Sequence, residues 1–142
     1  TSSAGHSMGL VYYAITWTVL AYLFFDHMIV IAIGIFAMSY GDGFASLIGV
    51  KYGKQKYNLA GDEKSFIGTL SMFFFTFVTM LLAILYYNYV QETGFTFTLV
   101  SIGFLALFAA AGAIVEGLTP KGIDNLTVPF VIAAMYWMVF II

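Results

Sequence analysis

Three acids stand where a chain rich in Ile, Phe, Val and Tyr has little reason to place charge: Asp42 between Gly41 and Gly43, Glu116 after Gly112 and Ala113, and Asp124 ahead of Asn125-Leu126-Thr127. Carboxylates at close quarters repel unless a cation lies between them. Mg²⁺ prefers oxygen ligands and is often held by one or two carboxylates together with substrate phosphates. Asn125 and Thr127 add neutral oxygens beside Asp124. Lys51, Lys54, Lys56 and Lys64 share one stretch with Gly53 and Gly61. Lysine binds phosphate as a point charge. The chain contains no Arg, so anion binding rests on lysine, backbone N–H groups or metal ions. Acids, lysines and glycines together fit a nucleotide triphosphate held through Mg²⁺. Plainer readings remain open for each part. Asp124 and Thr127 also suit a helix N-terminus. The lysines suit a solvated loop or anionic lipid. Asp42 suits an early helix end in the headgroup layer.

The elements that must position these residues are apolar helices. The 142 residues are 62% hydrophobic and 8% charged, against about 45–50% and about 25% in soluble domains. Stretches long enough to cross a bilayer need about 20 mostly apolar residues. Five occur, at about 10–25, 27–49, 66–90, 95–118 and 127–142. The expected fold is an all-α integral membrane bundle forming one domain over 1–142. The absence of Cys excludes disulfides and thiolate metal sites. No Ser-His-Asp set and no P-loop is present. Residues 1–9 have no basic segment and do not read as a signal peptide.

All five lysines fall in two connections, 51–65 and 119–126, which alternating spans place on one side. The opposite connections carry Asp26, His27 and Glu92. The positive-inside rule makes the lysine side and the N-terminus cytoplasmic. Five of the seven acids also gather on that side, which sorting by charge alone does not produce. Asp42 lies roughly 10 Å short of the helix end near Gly49, at 1.5 Å per residue. A carboxylate at that depth is costly and usually faces a bundle interior or a watery cavity.

Small residues mark two helix faces. Gly41, Ala45, Gly49 and Gly53 recur every four residues. Gly103, Ala106, Ala109, Ala110, Ala113 and Gly117 lie largely to one side of the fourth helix. Such stripes let transmembrane backbones approach closely. Packing of the two stripes on each other is expected to bring Asp42 to Glu116. His27 reads as an interfacial residue, and His6 lies nearer the site side. The run Phe73 to Phe77 reads as core or lipid-facing.

Two ordered motifs resemble a known family. Asp42-x-x-Ala45-x-x-x-Gly49-x-x-x-Gly53-Lys54, followed by Lys64-Ser65-x-x-Gly68-Thr69, resembles the CTP-binding signature of the dolichol kinase and phytol kinase family. These are integral-membrane, CTP-dependent kinases of lipid alcohols. Glu116, then Asp124-Asn125-Leu126-Thr127-Val128-Pro129, resembles the second signature. The likeness spans about Gly9 to Pro129. It implies catalytic and Mg²⁺-binding roles for Asp42, Glu116 and Asp124. It implies CTP contacts for Ala45, Gly49, Gly53, Lys54, Lys64, Ser65, Asn125 and Thr127. Asp42 or Asp124 would serve as the base. Ile67 stands where the family usually has Glu, so either that ligand is dispensable or Glu63 replaces it. Family members commonly carry further N-terminal helices with a basic motif, which are expected to precede Thr1 in a longer chain.

The implied partners are CTP, a membrane lipid alcohol of the phytol, polyprenol or dolichol, or diacylglycerol class, and the bilayer. No nucleic-acid partner is expected, and a homo-oligomer stays open. Phosphatidate cytidylyltransferases share the first signature, but their Asp-Arg pair has no counterpart here. An ion or metal transporter is the reading from another class. It calls for acids near the midplane, whereas these gather at one face.

Overall fold

The computed structural model describes residues 2–59 and 61–142, with side chains from Met8 onward. His6 therefore lies outside the residues whose side chains are described. Five helices account for most of the chain: α1 (Ser2–Leu23), α2 (Met28–Tyr52), α3 (Phe66–Gln91), α4 (Leu99–Leu118) and α5 (Asp124–Phe140). The middle of α2 is wound as a π-helical stretch, Ala37–Asp42, that ends on Asp42.

Among the described residues, three helices are long and apolar enough to cross a membrane: α2, α3 and α4, with mean hydropathies of 1.7, 2.1 and 2.1. The apolar part of α1, Met8–Leu23, and α5 are shorter apolar helices. Their surroundings fit the same setting. Large apolar side chains such as Leu47, Val50, Tyr89 and Leu99 are exposed around the bundle, while Leu20, Ile33, Met72, Met80, Leu105, Phe108 and Ile132 fill its centre. The protein is an all-α, membrane-associated bundle.

The loop expected at 51–65 contains a short hairpin. β1 (Lys56–Asn58) pairs antiparallel with β2 (Glu63–Ser65), with Tyr57 opposite Lys64. Gly61, at φ 89°, supplies the left-handed residue of its turn. Ser65 ends the hairpin and caps α3, its hydroxyl accepting the Gly68 N–H at 3.1 Å. Helix α4 begins later than expected, at Leu99, because Thr98 and Ser101 form a reciprocal capping box. Helix α5 begins earlier than expected, at Asp124 rather than Thr127.

The expected pairing of the two small-residue stripes does not occur. The α2 stripe packs on α3. A Cβ on Gly49 would stand 2.8 Å from the Ser65 hydroxyl and 3.4 Å from the Gly68 Cα, and one on Gly41 would stand 2.9 Å from the Met72 sulfur. Gly68 answers in kind, lying against the Ala45 carbonyl. The α4 stripe faces elsewhere: Gly117 meets the Tyr57 hydroxyl, and nothing lies near Gly103. A small-residue stripe permits close approach without naming its partner. Here α3 brings its own glycine to the contact. Helices α3 and α5 each pack on both α2 and α4, and α1 packs on α5 and α2.

Pro129 lies inside α5 and has no N–H to give the carbonyl four residues back, Asn125. Thr16 of α1 supplies that bond. Its fully buried hydroxyl reaches the Asn125 carbonyl at 2.8 Å and its own Tyr12 carbonyl at 2.9 Å. The Asn125 side-chain amide donates to the Gly9 carbonyl at 2.8 Å. Helix α1 is thus fastened to the start of α5. A Thr16→Val variant orphans the Asn125 carbonyl and is expected to lose about 1–3 kcal/mol of stability, while Thr16→Ser keeps the bond. Thermal unfolding in detergent measures both, and equal stability of the two variants would refute the role given to the hydroxyl.

Candidate active site and metal centre

Each acid arrives on a different helix. The π-helical stretch of α2 ends on Asp42, Glu116 lies in the last turn of α4, and Asp124 opens α5. One carboxylate oxygen from each lies within 4.8 Å of the other two, and Glu116 and Asp124 are buried. They meet although the stripes do not. Both α2 and α4 flank α3 and α5, and the two acids reach toward one another at the end where α5 begins.

Asp124 is oriented by its own turn. Its Oδ1 accepts the Gly122 N–H at 2.8 Å and the Asn125 N–H at 3.0 Å. Gly122 sits at φ 99°, a conformation that favours glycine. Its Oδ2 therefore remains for the cluster. The helix-terminus reading of Asp124 and the ligand reading are divided between its two oxygens.

A cation of the chain itself reaches the acids. Lys64 of β2 places Nζ 2.7 Å from Glu116 Oε1 and 3.5 Å from Asp124 Oδ2, and it also donates to the Glu116 main-chain carbonyl. Its side chain is 11% exposed. Burial pulls the Lys64 ammonium down. The hydrogen bond with Glu116 and the charges of Glu116, Asp124 and Asp42 outweigh that, so it is held above its ordinary 10.5. Lys64 is thus charged at neutral pH. Three carboxylates and one ammonium leave two negative charges uncompensated when all are ionised.

The two lysine-bearing connections touch at this end of the bundle. The Lys121 N–H donates to Asp62 Oδ2 at 2.7 Å. The Tyr57 hydroxyl shares a 2.5 Å hydrogen bond with Thr69 and lies against Gly117, where a Cβ would stand 2.7 Å away. The hairpin is docked over the last turn of α4 and carries Lys64 to its place.

The remaining residues singled out by sequence take other positions. Ala45, Gly49 and Gly53 lie along the α2–α3 contact, with Ser65 and Gly68 filling the space beside them. Lys51 and Lys54 are exposed, and Lys51 lies 5.2 Å above the Tyr52 ring. Lys56 pairs with Glu63 at 3.1 Å on the surface. Glu63 is thereby turned away from the acids and does not stand in for the family's usual Glu at Ile67. Thr127 bonds Thr119 and the Ile123 carbonyl. Asn125 is engaged with α1. Sequence reasoning missed Thr16, Gly9, Tyr57 and Asp62. A signal for Thr16 existed, since Pro129 foretells an unpaired carbonyl at Asn125. Nothing local marked Tyr57 or Asp62.

The donor set fits a hard divalent cation. Two oxygens across one Mg²⁺ are about 4.2 Å apart, at bond lengths of about 2.1 Å. A cluster within 4.8 Å needs only a small closing movement to share an ion. Oxygen donors without sulfur or imidazole suit Mg²⁺ better than the softer transition metals.

Fold and site together define a membrane-associated helical protein with an oxygen-rich acidic centre at one end. Known proteins narrow this. The chain is 37% identical over 134 residues to "Phytol kinase" of Synechocystis, covering 93% of this chain and 54% of that relative. It is 31% identical to "Probable phytol kinase 1, chloroplastic" of rice, covering 42% of it. It is 26% identical to "Probable phytol kinase, chloroplastic" of wheat, covering 44% of it. Over nearly its whole length the chain is thus similar to phytol kinases. It spans about half the length of the curated relatives it matches. No family model matches it, and no solved structure matches it.

Lys64→Ala leaves two buried carboxylates without their cation and is expected to cost on the order of 3 kcal/mol. Lys56→Ala breaks only an exposed pair and is expected to cost less than about 1 kcal/mol. Thermal unfolding of the two variants without added metal tests this, and equal losses would refute the structural role of Lys64.

Proposed function

We propose that this chain carries the phosphoryl-transfer site of a CTP-dependent kinase that phosphorylates the hydroxyl of a membrane lipid alcohol, with Mg²⁺, at the cytoplasmic membrane face. The observation that carries the reading is the meeting of Asp42, Glu116 and Asp124 at one end of an apolar bundle, with Lys64 among them. The names of its relatives support phytol or a similar lipid alcohol as acceptor.

The three acids would hold Mg²⁺, which neutralises charge on the β- and γ-phosphates when bound. Phosphoryl transfer asks the protein chiefly to position groups and stabilise charge. Lys64, and the exposed Lys54 just beyond the end of α2, would contact phosphate oxygens. Asp42 or Asp124 would accept the proton of the acceptor hydroxyl. That oxygen forms a bond to the γ-phosphorus as the bond to the β,γ-bridging oxygen breaks, leaving CDP. The acceptor's chain stays in the bilayer beside the bundle while its hydroxyl reaches the acids. The stripe at Ala45, Gly49 and Gly53 would act through the α2–α3 contact, which sets the depth of Asp42.

Two labels of CTP test the reaction. With phytol, polyprenols and diacylglycerol as acceptors, label from the γ-phosphate is expected on lipid, and label from the α-phosphate is not. Lipid labelled from the α-phosphate, with release of pyrophosphate, would replace the kinase with a cytidylyltransferase. Asp42→Asn is expected to abolish turnover while the protein stays folded, and wild-type activity in that variant would leave Asp42 only a structural part.

The orientation has its own measurement. The chain has no native Cys. A Gln55→Cys variant is expected to resist an impermeant thiol reagent in intact cells and to react once they are opened. Labelling from outside would reverse the topology.

A further inference from the structure

The oxygens best placed for a metal already face an ammonium. Asp124 has Oδ1 committed to the N–H groups of Gly122 and Asn125, so Oδ2 is the atom it offers to the cluster. Oδ2 is also the atom 3.5 Å from Lys64 Nζ, and Glu116 Oε1 lies 2.7 Å from the same nitrogen. An ion bound at about 2.0–2.1 Å from these two oxygens would sit in contact with the ammonium. Two cations do not share that space without strong repulsion. One of them has to leave.

We propose that Lys64 is the built-in counter-ion of the carboxylate cluster, that a divalent metal displaces it, and that the displaced ammonium then serves the nucleotide phosphates. The inference rests on the metal reading given under Proposed function and adds an order of events to it. Before metal arrives, Lys64 keeps Glu116 and Asp124 from repelling one another, so the helices can be held in position. The hairpin lets this happen without unfolding. Lys64 swings on a flexible four-carbon stem, while its strand stays paired with Tyr57 opposite and Ser65 capping α3. The same geometry gives a sign that separates a competing lysine from a merely organising one. Removing a competitor tightens metal binding, whereas removing an organiser weakens it.

The test is a Mn²⁺ titration of the detergent-held protein without nucleotide or lipid, with free Mn²⁺ read by electron paramagnetic resonance. Lys64→Gln is expected to bind Mn²⁺ at least about tenfold more tightly than wild type, because a like charge has left the site. Lys64→Arg, which keeps the charge, is expected to show no gain. Binding to Lys64→Gln that is unchanged or weaker would overturn the proposal. Glu116→Gln separates the two layers of the argument. If it loses Mn²⁺ while Lys64→Gln gains nothing, only the exchange fails. If it binds as wild type does, or if no form binds Mn²⁺, the metal reading fails and the exchange with it. A second measurement needs no variant. Amine acetylation of the wild-type protein, read residue by residue by mass spectrometry, is expected to rise several-fold at Lys64 on adding Mn²⁺ and to stay constant at Lys51. Equal labelling of Lys64 with and without Mn²⁺, in protein that binds the ion, would equally overturn the exchange.

Discussion

Mutual repulsion among three carboxylates is the constraint around which this bundle is arranged. Asp42, Glu116 and Asp124 bring oxygens within 4.8 Å of one another, two of them from buried residues. In an apolar interior such charges are tolerated only with paired cations or strong hydrogen bonding. Each neighbouring feature answers that need. The hairpin inserts Lys64. The turn at Gly122 turns two backbone N–H groups onto Asp124, of which Oδ1 accepts one from Gly122 and one from Asn125. The first turn of α5 adds the favourable end of its dipole. The packing of small residues between α2 and α3 fixes the helix that carries Asp42.

The start of α5 needs a further anchor because Pro129 weakens the turn behind it. A proline in a helix interior removes one hydrogen bond and leaves a carbonyl to be satisfied elsewhere. Thr16 fills that gap from α1, and the Asn125 side chain returns a bond to Gly9. Both contacts are made by Asn125, the residue that follows Asp124. A proline that would loosen a helix is thus turned into an attachment point for a neighbouring one. Asn125, which reads from sequence as a site residue, contributes in this structure by holding Asp124's helix in place.

Much of the architecture was legible because an apolar chain leaves little freedom in where its helices run. The breaks near Asp26, Lys51–Ser65, Glu92 and Thr119–Leu126 divide the chain into five segments, and the structure keeps all five. The start of α4 shifted because caps depend on specific side-chain geometry: the Thr98–Ser101 box delays that helix. The glycines around Asp42 hinted at an early helix end, whereas the helix continues through them with a π-helical stretch. The proximity of the acids was legible from their isolation in apolar sequence and their gathering on the lysine side. The route to it was not. Stripe pairing fails as an argument because glycine faces carry no address, and α3 offers Gly68 where α4 was expected. Glu63 and Lys64 show the other limit. They are adjacent in sequence, but alternation along β2 sends one to the surface and the other to the acids.

This alternation also explains how a polar centre can be built in a chain with so few charges. The hairpin is only three residues a side, yet pairing fixes which face each residue takes. Glu63 faces Lys56 outward, and Lys64 points to Glu116 and Asp124. A flexible loop would leave those alternatives open, and a lysine beside an acid would tend to pair with it. Docking of Tyr57 against Gly117 and of Asp62 on the Lys121 N–H then ties the hairpin to the α4–α5 connection. The charged end is therefore ordered by the same backbone pairing that gives Lys64 its direction, while the apolar sides of the helices remain available to lipid.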